Sequence, residues 1–177
     1  MSVADSIFSM QIRVFYEDTD FGGIVYYANY LKFMERARTE FLRSLGVNQS
    51  SLLDQERRLF VVKSADIKFV SPARFDDLLV VTAEVKTVRR ASMIFNQECR
   101  VVKSARDNID HSAPSDKGAS GNGNNASDRP VASRSPAASN SLVASAEVMI
   151  ACLDADSFKP GSIPAVAMGP LKMVLNP

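Results

Sequence analysis

The sequence predicts an α+β protein in which one long helix packs against an antiparallel sheet. Three observations support this class: a segment with apolar residues at every second position, a segment with helical spacing, and four long segments rich in Val, Ile and Phe. One strand, one long helix and then four strands in succession are typical of α+β proteins. We expect a curved sheet that wraps the helix, because this arrangement buries the apolar surface of both.

The first strand is predicted from residues that alternate with a period of two, namely Met10, Ile12, Val14 and Tyr16. This strand leads into the acidic run 17–20. Gly22 and Gly23 follow, and they supply the flexible backbone of a tight turn. We therefore expect an acidic loop between the first strand and the helix.

The long helix is predicted over 29–45, with Asn29 as its N-cap and Gly46 at its end. A second, short helix is predicted over 50–57. The apolar stripe of the long helix consists of Leu31, Met34, Ala37, Phe41, Leu42 and Leu45.

Four further strands are predicted over 59–69, 78–88, 92–102 and 142–153. Between the last two lies 104–141, a tract rich in Ser, Ala, Asn, Gly and Pro. Such a composition cannot bury enough apolar surface to offset its ordering entropy. We interpret 104–141 as a flexible insert at a hairpin tip, and 1–177 as a single domain of this size class.

The composition excludes several classes of protein. With 21 basic and 20 acidic residues in a chain of 177, no overall charge would recruit nucleic acid. No segment predicts a secretory signal or a transmembrane helix. Cys99 and Cys152 lie in alternating apolar stretches and are interpreted as buried free thiols in a reducing compartment. The sequence thus predicts a cytoplasmic protein.

Histidine and cysteine are too few for most catalytic arrangements. The single histidine, His111, lies in the insert, so neither a Ser-His-Asp triad nor a Cys-His pair is expected. A closed zinc site of the Cys/His type is excluded for the same reason. No phosphate-binding or dinucleotide-binding glycine motif is present. Catalysis, if present, must depend on a carboxylate, on backbone dipoles or on both, and we expect no metal and no cofactor.

Asp18 and Asp20 are the first candidates for such a carboxylate. In an extended segment they would point to the same face, with Glu17 on the other. A carboxylate just before a helix lies beside free N–H groups that stabilise a developing oxyanion. The alternative is that these acids only cap turns or complement the helix dipole.

Other side chains are weaker candidates. Tyr27, in the cluster Tyr26, Tyr27 and Tyr30, lines an acyl pocket or packs at the core edge. Glu35 approaches a ligand or forms a salt bridge with Arg36 or Arg38. Arg89 and Arg90 bind phosphates or form a solvated turn, and Lys63 and Lys68 are similar.

The run from Val14 to Tyr27, with Asn29-Tyr30 and 33–40, resembles the signature of the 4-hydroxybenzoyl-CoA thioesterase family of hotdog proteins. Within that family the chain most resembles the acyl-CoA thioesterases associated with the Tol–Pal system. Further matches lie at 60–63, 72–78, Lys159-Pro160 and Pro164. The resemblance covers essentially the whole chain except the insert.

This resemblance implies hydrolysis of acyl-CoA or acyl-carrier-protein thioesters in a homodimer or homotetramer with sites at the dimer interface. It implies Asp20 as nucleophile or general base. Backbone N–H groups near Tyr27, after the Gly23 turn, would polarise the carbonyl, and Arg89 with Ser92 would meet coenzyme A. Relatives often carry His where this chain has Tyr27. Two alternatives therefore stay open: a non-catalytic acyl-thioester or acyl-carrier-protein binder, and a hydratase.

Overall fold

The computed structural model describes residues 7–103 and 140–175. Its elements are one strand, a 3-10 turn, two helices, four strands and a final helix. In chain order they are β1 (Phe8–Arg13), the 3-10 turn (Tyr16–Asp18), α1 (Tyr27–Ser44), α2 (Gln49–Glu56), β2 (Arg58–Phe69), β3 (Leu78–Val88), β4 (Ser92–Lys103), β5 (Ser141–Asp154) and α3 (Ala165–Leu175). No helix in the described ranges is long and apolar enough to cross a membrane.

The five strands form one sheet in the order β1-β3-β4-β5-β2, and every neighbouring pair is antiparallel. β1 and β2 are therefore the edge strands. β2 carries a bulge, because its pairing with β5 shifts between Val62 and Ser64. Helices α1 and α2 connect β1, at one edge of the sheet, to β2 at the other edge. The chain therefore crosses the sheet between these two strands.

α1 supplies the centre of the core. Phe33, Met34 and Ala37 are fully buried, and the ring of Phe41 meets that of Phe95 from β4 edge to face, with centroids 5.7 Å apart. A buried polar contact crosses the same interface, since Arg38 Nη1 donates to Oε1 of Gln97 at 2.6 Å. Gln97 in turn donates to the main-chain oxygens of Met34 and Thr82, both at 3.0 Å.

The side of the sheet that faces α1 is left open along β2. Opposite members of a strand pair lie on the same face, and the partners of β2 residues in β5 are buried core residues. The matching β2 side chains are nevertheless half-buried or exposed; they are Phe60, Val62, Ala65, Ile67 and Phe69. Across from them runs a row of α1 residues spaced by four, Tyr27, Leu31, Glu35 and Thr39. We call the groove between the two rows the trough.

Most of the predicted elements are confirmed, with corrections at two boundaries and in the apolar stripe of α1. The predicted first strand ends early, because 16–18 form the 3-10 turn. α1 begins at Tyr27, and Asn29 is not its N-cap; the Asn29 side chain donates instead to the main-chain oxygen of Asp18 at 3.0 Å. Leu31 is exposed, unlike the rest of the predicted stripe.

The remaining differences lie toward the C-terminus. α3 has no counterpart among the predicted elements. Residues 104–139 of the predicted insert, which include His111, lie outside the described residues. The predicted end of the insert at 141 is wrong, because Ser141 is the first residue of β5 and pairs with Val101.

Candidate functional site

The loop between β1 and α1 is held in place by Asp18. Its Oδ2 atom accepts the N–H of Phe15 at 2.9 Å, which closes the 3-10 turn. Its main-chain oxygen accepts the N–H of Tyr26 at 2.9 Å and the Nδ2 of Asn29. The carboxylate of Asp18 is buried. Asp18 therefore has the turn-capping role that the sequence left as the alternative, and the 3-10 turn removes the predicted shared face with Asp20.

Asp20 has a different environment, because it lies on the surface of the same loop. Its Oδ1 atom accepts the N–H of Gly22 at 2.8 Å, and its main-chain groups bond to Ile24 and Gly23 at 2.9 Å each. The second carboxylate oxygen takes no partner among the described residues. The carboxylate is thus oriented by one hydrogen bond and has an oxygen available for a substrate or a water molecule.

The start of α1 directly follows this loop and is uncapped. Its N-cap residue is Tyr26, which makes no side-chain capping hydrogen bond. The N–H of Asn29 bonds to the Tyr26 oxygen, whereas those of Tyr27 and Ala28 take no acceptor among the described residues. Two free N–H groups at the positive end of an 18-residue helix are suited to hold a negatively charged oxygen.

Aromatic rings surround the helix start. The rings of Tyr26 and Tyr27 lie 4.7 Å apart, and this contact raises the pKa of Tyr26 through a hydrogen bond with Tyr27. Phe69, at the end of β2, meets Tyr27 at 6.1 Å and Tyr30 at 5.9 Å. Tyr30 is buried, and its hydroxyl accepts the N–H of Ala73 at 3.0 Å. Tyr27 is 59% exposed, with its ring against those of Tyr26 and Phe69, so the packing interpretation holds for Tyr30 and both interpretations stay open for Tyr27.

Phe69 is a neighbour of the helix start that the sequence did not indicate. It lies 42 residues after Tyr27 in the chain, so their contact depends on how β2 returns beside α1. Its position at a strand end gives no local signal for such a contact. Only the sheet order, with β2 at the edge, brings the two rings together.

Glu35 lies in the trough two turns beyond Tyr27. The predicted salt bridge with Arg36 or Arg38 is wrong, because no ion pair in the described part of the chain includes Glu35. Its Oε1 atom instead accepts the hydroxyl of Thr39 at 2.8 Å. Glu35 remains exposed.

The predicted phosphate-binding residues do not join Asp20 within one chain. Arg89 and Ser92 form the β3–β4 hairpin tip, where the Arg89 N–H donates to the Ser92 oxygen at 2.7 Å. The loop that carries Asp20 forms a β-bridge between Ile24 and Arg74, and Arg74 lies four residues before β3 begins, at the end opposite the hairpin tip. At about 3.4 Å per residue, the 11-residue strand separates the two ends by about 35 Å. Lys63 lies exposed at the β2 bulge.

The donor set of the site gives no support for a metal ion. Within 7–103 and 140–175, no group of three or more His, Cys, Asp or Glu side chains is close enough to hold one. The acids of the loop have separate environments, since Asp18 is buried against Phe15 whereas Glu17 and Asp20 are exposed. The arrangement is therefore an exposed Asp20 carboxylate in the loop that leads into two free backbone donors.

Gly23 closes the turn in the left-handed region, with φ +69°. A Cβ at this position would touch nothing within 4 Å, so the only cost of Gly23→Ala is backbone strain of about 1 kcal/mol. We expect this variant to lower stability slightly and to reduce activity more clearly, because the strained turn carries the carboxylate. Gly46→Ala is the matched control, with φ +77° and equally open space at the far end of α1. Thermal melts and turnover of the two variants check this; equal activities would contradict it.

A helix wrapped by a five-stranded antiparallel sheet, with a carboxylate in the loop before the helix, defines the hotdog class of thioester hydrolases. The thioesterase superfamily model matches residues 22–106. The acyl-CoA thioester hydrolase YbgC of Escherichia coli is 34% identical over 159 residues, which cover 90% of this chain and 91% of the relative. The acyl-CoA thioesterase YbgC of Haemophilus influenzae is 50% identical over 93 residues, 52% of this chain and 68% of the relative.

A solved structure agrees with these sequence relatives. The crystal structure of a probable thioesterase from Bartonella henselae superimposes with a TM-score of 0.63 at 29% identity, and covers 88% of this chain and 98% of that one. The chain belongs to the thioesterase superfamily and has the hotdog fold. The predicted fold class, family and thioester-hydrolase activity are thereby confirmed.

Proposed function

We propose that the protein hydrolyses acyl-CoA thioesters to a free acid and coenzyme A, with Asp20 as the catalytic carboxylate. The observation that carries the proposal is the position of this exposed carboxylate in the loop that leads directly into the uncapped start of α1. The carboxylate provides the attacking or proton-accepting group, and the free N–H groups provide oxyanion stabilisation. The membership of the thioesterase superfamily supports this chemistry.

Two routes through Asp20 balance chemically. As a nucleophile, the carboxylate adds to the thioester carbonyl and expels the coenzyme A thiolate, which leaves a mixed anhydride that water hydrolyses. As a general base, it takes a proton from water as the hydroxide adds to the same carbonyl, and the departing thiolate receives that proton. A single turnover in ¹⁸O-water with enzyme in excess tests the nucleophilic route. Label in the Asp20 carboxylate establishes it, since only attack of water on the Asp20 carbonyl of the anhydride introduces label there.

The oxyanion is assigned to the N–H groups at the start of α1. Tyr27→Pro tests this assignment, because proline at the first helical position removes the N–H while keeping the helical φ. Tyr26 has φ −59° and ψ 129°, a conformation compatible with a following proline. Relative to Tyr27→Ala, which also lacks the ring, we expect Tyr27→Pro to lower kcat about a hundredfold. Equal kcat values for the two variants would remove the Tyr27 N–H from the mechanism.

The trough supports assembly with a second copy of the chain. β2 is a 12-residue edge strand with unpaired backbone groups and exposed apolar side chains on the face toward α1. Exposed edges and apolar strips of this kind are characteristic of interfaces. In a homodimer formed along β2, a partner chain would cover the trough, and homotetramers would follow by a second contact.

The same assembly would explain the remote basic residues. Arg89 and Ser92 lie about 35 Å from the Asp20 end of β3, so they reach an Asp20 site only from the partner chain. Arg89 would then pair with the phosphates of coenzyme A, and Lys63 on β2 is close to the proposed dimer edge. The tract between β4 and β5 would belong to the same single domain.

The proposal extends to the cellular setting. We place the activity in the cytoplasm and associate the chain with the Tol–Pal system, as the family resemblance implies. Acyl-carrier protein is a second candidate carrier of the thioester. Parallel assays with the same acyl group on coenzyme A and on acyl-carrier protein identify the carrier, and the preferred one has the higher kcat/KM.

The experiment that tests the proposed function is free-thiol release from aryl and short- to long-chain acyl-CoAs. Release that depends on protein concentration supports hydrolysis and ranks the acyl groups. No release from any member of the panel would contradict the proposal. Saturable binding without release would then identify the chain as an acyl-thioester binder.

A further inference from the structure

A small cavity opens from the trough between α1 and the sheet, and nothing described so far accounts for it. It has a volume of about 70 Å³, enough for about two water molecules. Its walls are mostly apolar and come from Leu42, Phe60, Met93, Phe95 and Ile150. Its polar lining residues are Glu35, Arg38, Thr39 and Gln49, and the Gln49 amide already donates to the Thr39 hydroxyl at 3.0 Å. An apolar cavity with a few convergent polar groups is the usual form of a ligand subsite.

Arg38 is unusual because its charge is buried without a carboxylate partner. The residue is 8% exposed, and no ion pair in the described part of the chain includes it. Nη1 bonds to Gln97, but Nε and Nη2 take no partner among the described residues. These nitrogens are not fully enclosed, since every fully enclosed polar side-chain atom described has a partner. Because Arg38 lines the cavity, we take these nitrogens to face it.

The charge around the cavity selects the chemistry of its occupant. Burial lowers the pKa of Arg38, while the nearby Glu35 carboxylate raises it. Arg38 offers only donors, and the ionised Glu35 offers only acceptors. A hydroxyl group satisfies both, because it accepts from one and donates to the other. A carboxylate would be repelled by Glu35, and a methyl group would leave the guanidinium donors unpaired.

We propose that the Arg38 cavity is a specificity subsite that binds a hydroxyl group at the far end of the acyl chain. This inference rests on the proposed function. Glu35 lies eight residues along α1 from Tyr27, about 12 Å at 1.5 Å per residue. Consider an acyl chain with its carbonyl at the helix start and its hydrocarbon part along the trough. The terminal carbon of a medium-length chain would then reach the cavity.

The test is a binding comparison that does not require hydrolysis. Calorimetry with the Asp20→Asn protein measures Kd for hexanoyl-, octanoyl- and decanoyl-CoA, each with a terminal methyl, hydroxyl or carboxylate. We expect the terminal hydroxyl to tighten binding roughly tenfold at one chain length. Equal affinity for methyl and hydroxyl termini, or a preference for the carboxylate, would overturn the inference.

Substitutions assign the preference to the cavity. Arg38→Met keeps the side-chain length and is expected to remove the tenfold preference, whereas Arg36→Met, at an exposed position of the same helix, is expected to keep it. If Arg38→Met does not fold, Glu35→Leu at an exposed position of the lining gives the second measurement. A preference that survives loss of Arg38 or Glu35 would overturn the subsite. Absence of thiol release by the wild type would reject the proposed function but leave this binding comparison intact.

Discussion

Asp20→Asn is expected to lower kcat for acyl-CoA hydrolysis by roughly a thousandfold or more while the protein keeps its fold. The large loss follows from the chemistry, because an amide neither attacks a thioester effectively nor accepts a proton from water. The retained fold follows from the structure. Asp20 is exposed, and its single side-chain bond, from the Gly22 N–H to Oδ1, can be made by the amide oxygen of asparagine as well.

Two neighbouring acids provide the controls for this substitution. Glu17→Gln removes an exposed carboxylate three residues away and is expected to leave kcat unchanged. Asp18→Asn disturbs the buried bond to the Phe15 N–H, so its effect should be seen first as a loss of thermal stability. Thiol release and melting temperature, measured for all three variants, separate the roles. Wild-type turnover by Asp20→Asn would show that another group performs the reaction.

The sequence predicted the fold better than the site because the two depend on different ranges of the chain. Apolar periodicity is local, and it predicted β3 at its exact bounds and the other strands of the sheet to within a few residues. α3 was missed because Pro170 lies inside it and interrupts the helical pattern. The strand prediction failed at 16–18, where the Asp18 carboxylate closes a 3-10 turn that apolar alternation does not reveal.

The site shows the same division. Asp20 and the Gly23 turn were predicted because the acidic run and the glycines are adjacent in the sequence. The contact of Phe69 with Tyr27 was not, since it arises only when β2 takes the edge of the sheet. The same holds for Arg38 and Gln97, which are 59 residues apart and meet through the packing of α1 on β4. Long-range contacts of this kind have no signal in a single sequence.

Val62→Glu, a substitution in the open trough, is expected to separate the assembly into single chains and to abolish most activity. Val62 lies on β2, faces the trough and is 53% exposed in a single chain. In a dimer formed along β2 this side chain would be covered, and a buried unpaired carboxylate is strongly unfavourable. Without a partner, the Arg89 and Ser92 of the second chain could not reach the Asp20 site. We therefore expect elution as a single chain and a fall in kcat/KM of at least about a hundredfold.

Val166→Glu is the matched control, because Val166 is also 53% exposed but lies on α3, where it neighbours α2 and not the trough. Light scattering after gel filtration gives the mass of each variant, and thiol release gives its activity at the same concentration. A single-chain Val62→Glu protein with wild-type activity would mean that one chain contains the complete site, and the remote Arg89 would then have no part in it. An intact, active Val62→Glu assembly would instead move the interface away from β2. If Val62→Glu has the mass of a single chain and little activity, while Val166→Glu keeps both the assembly and its activity, then a covered trough is required for catalysis. The edge strand and the Asp20 loop would then act only as parts of one two-chain site.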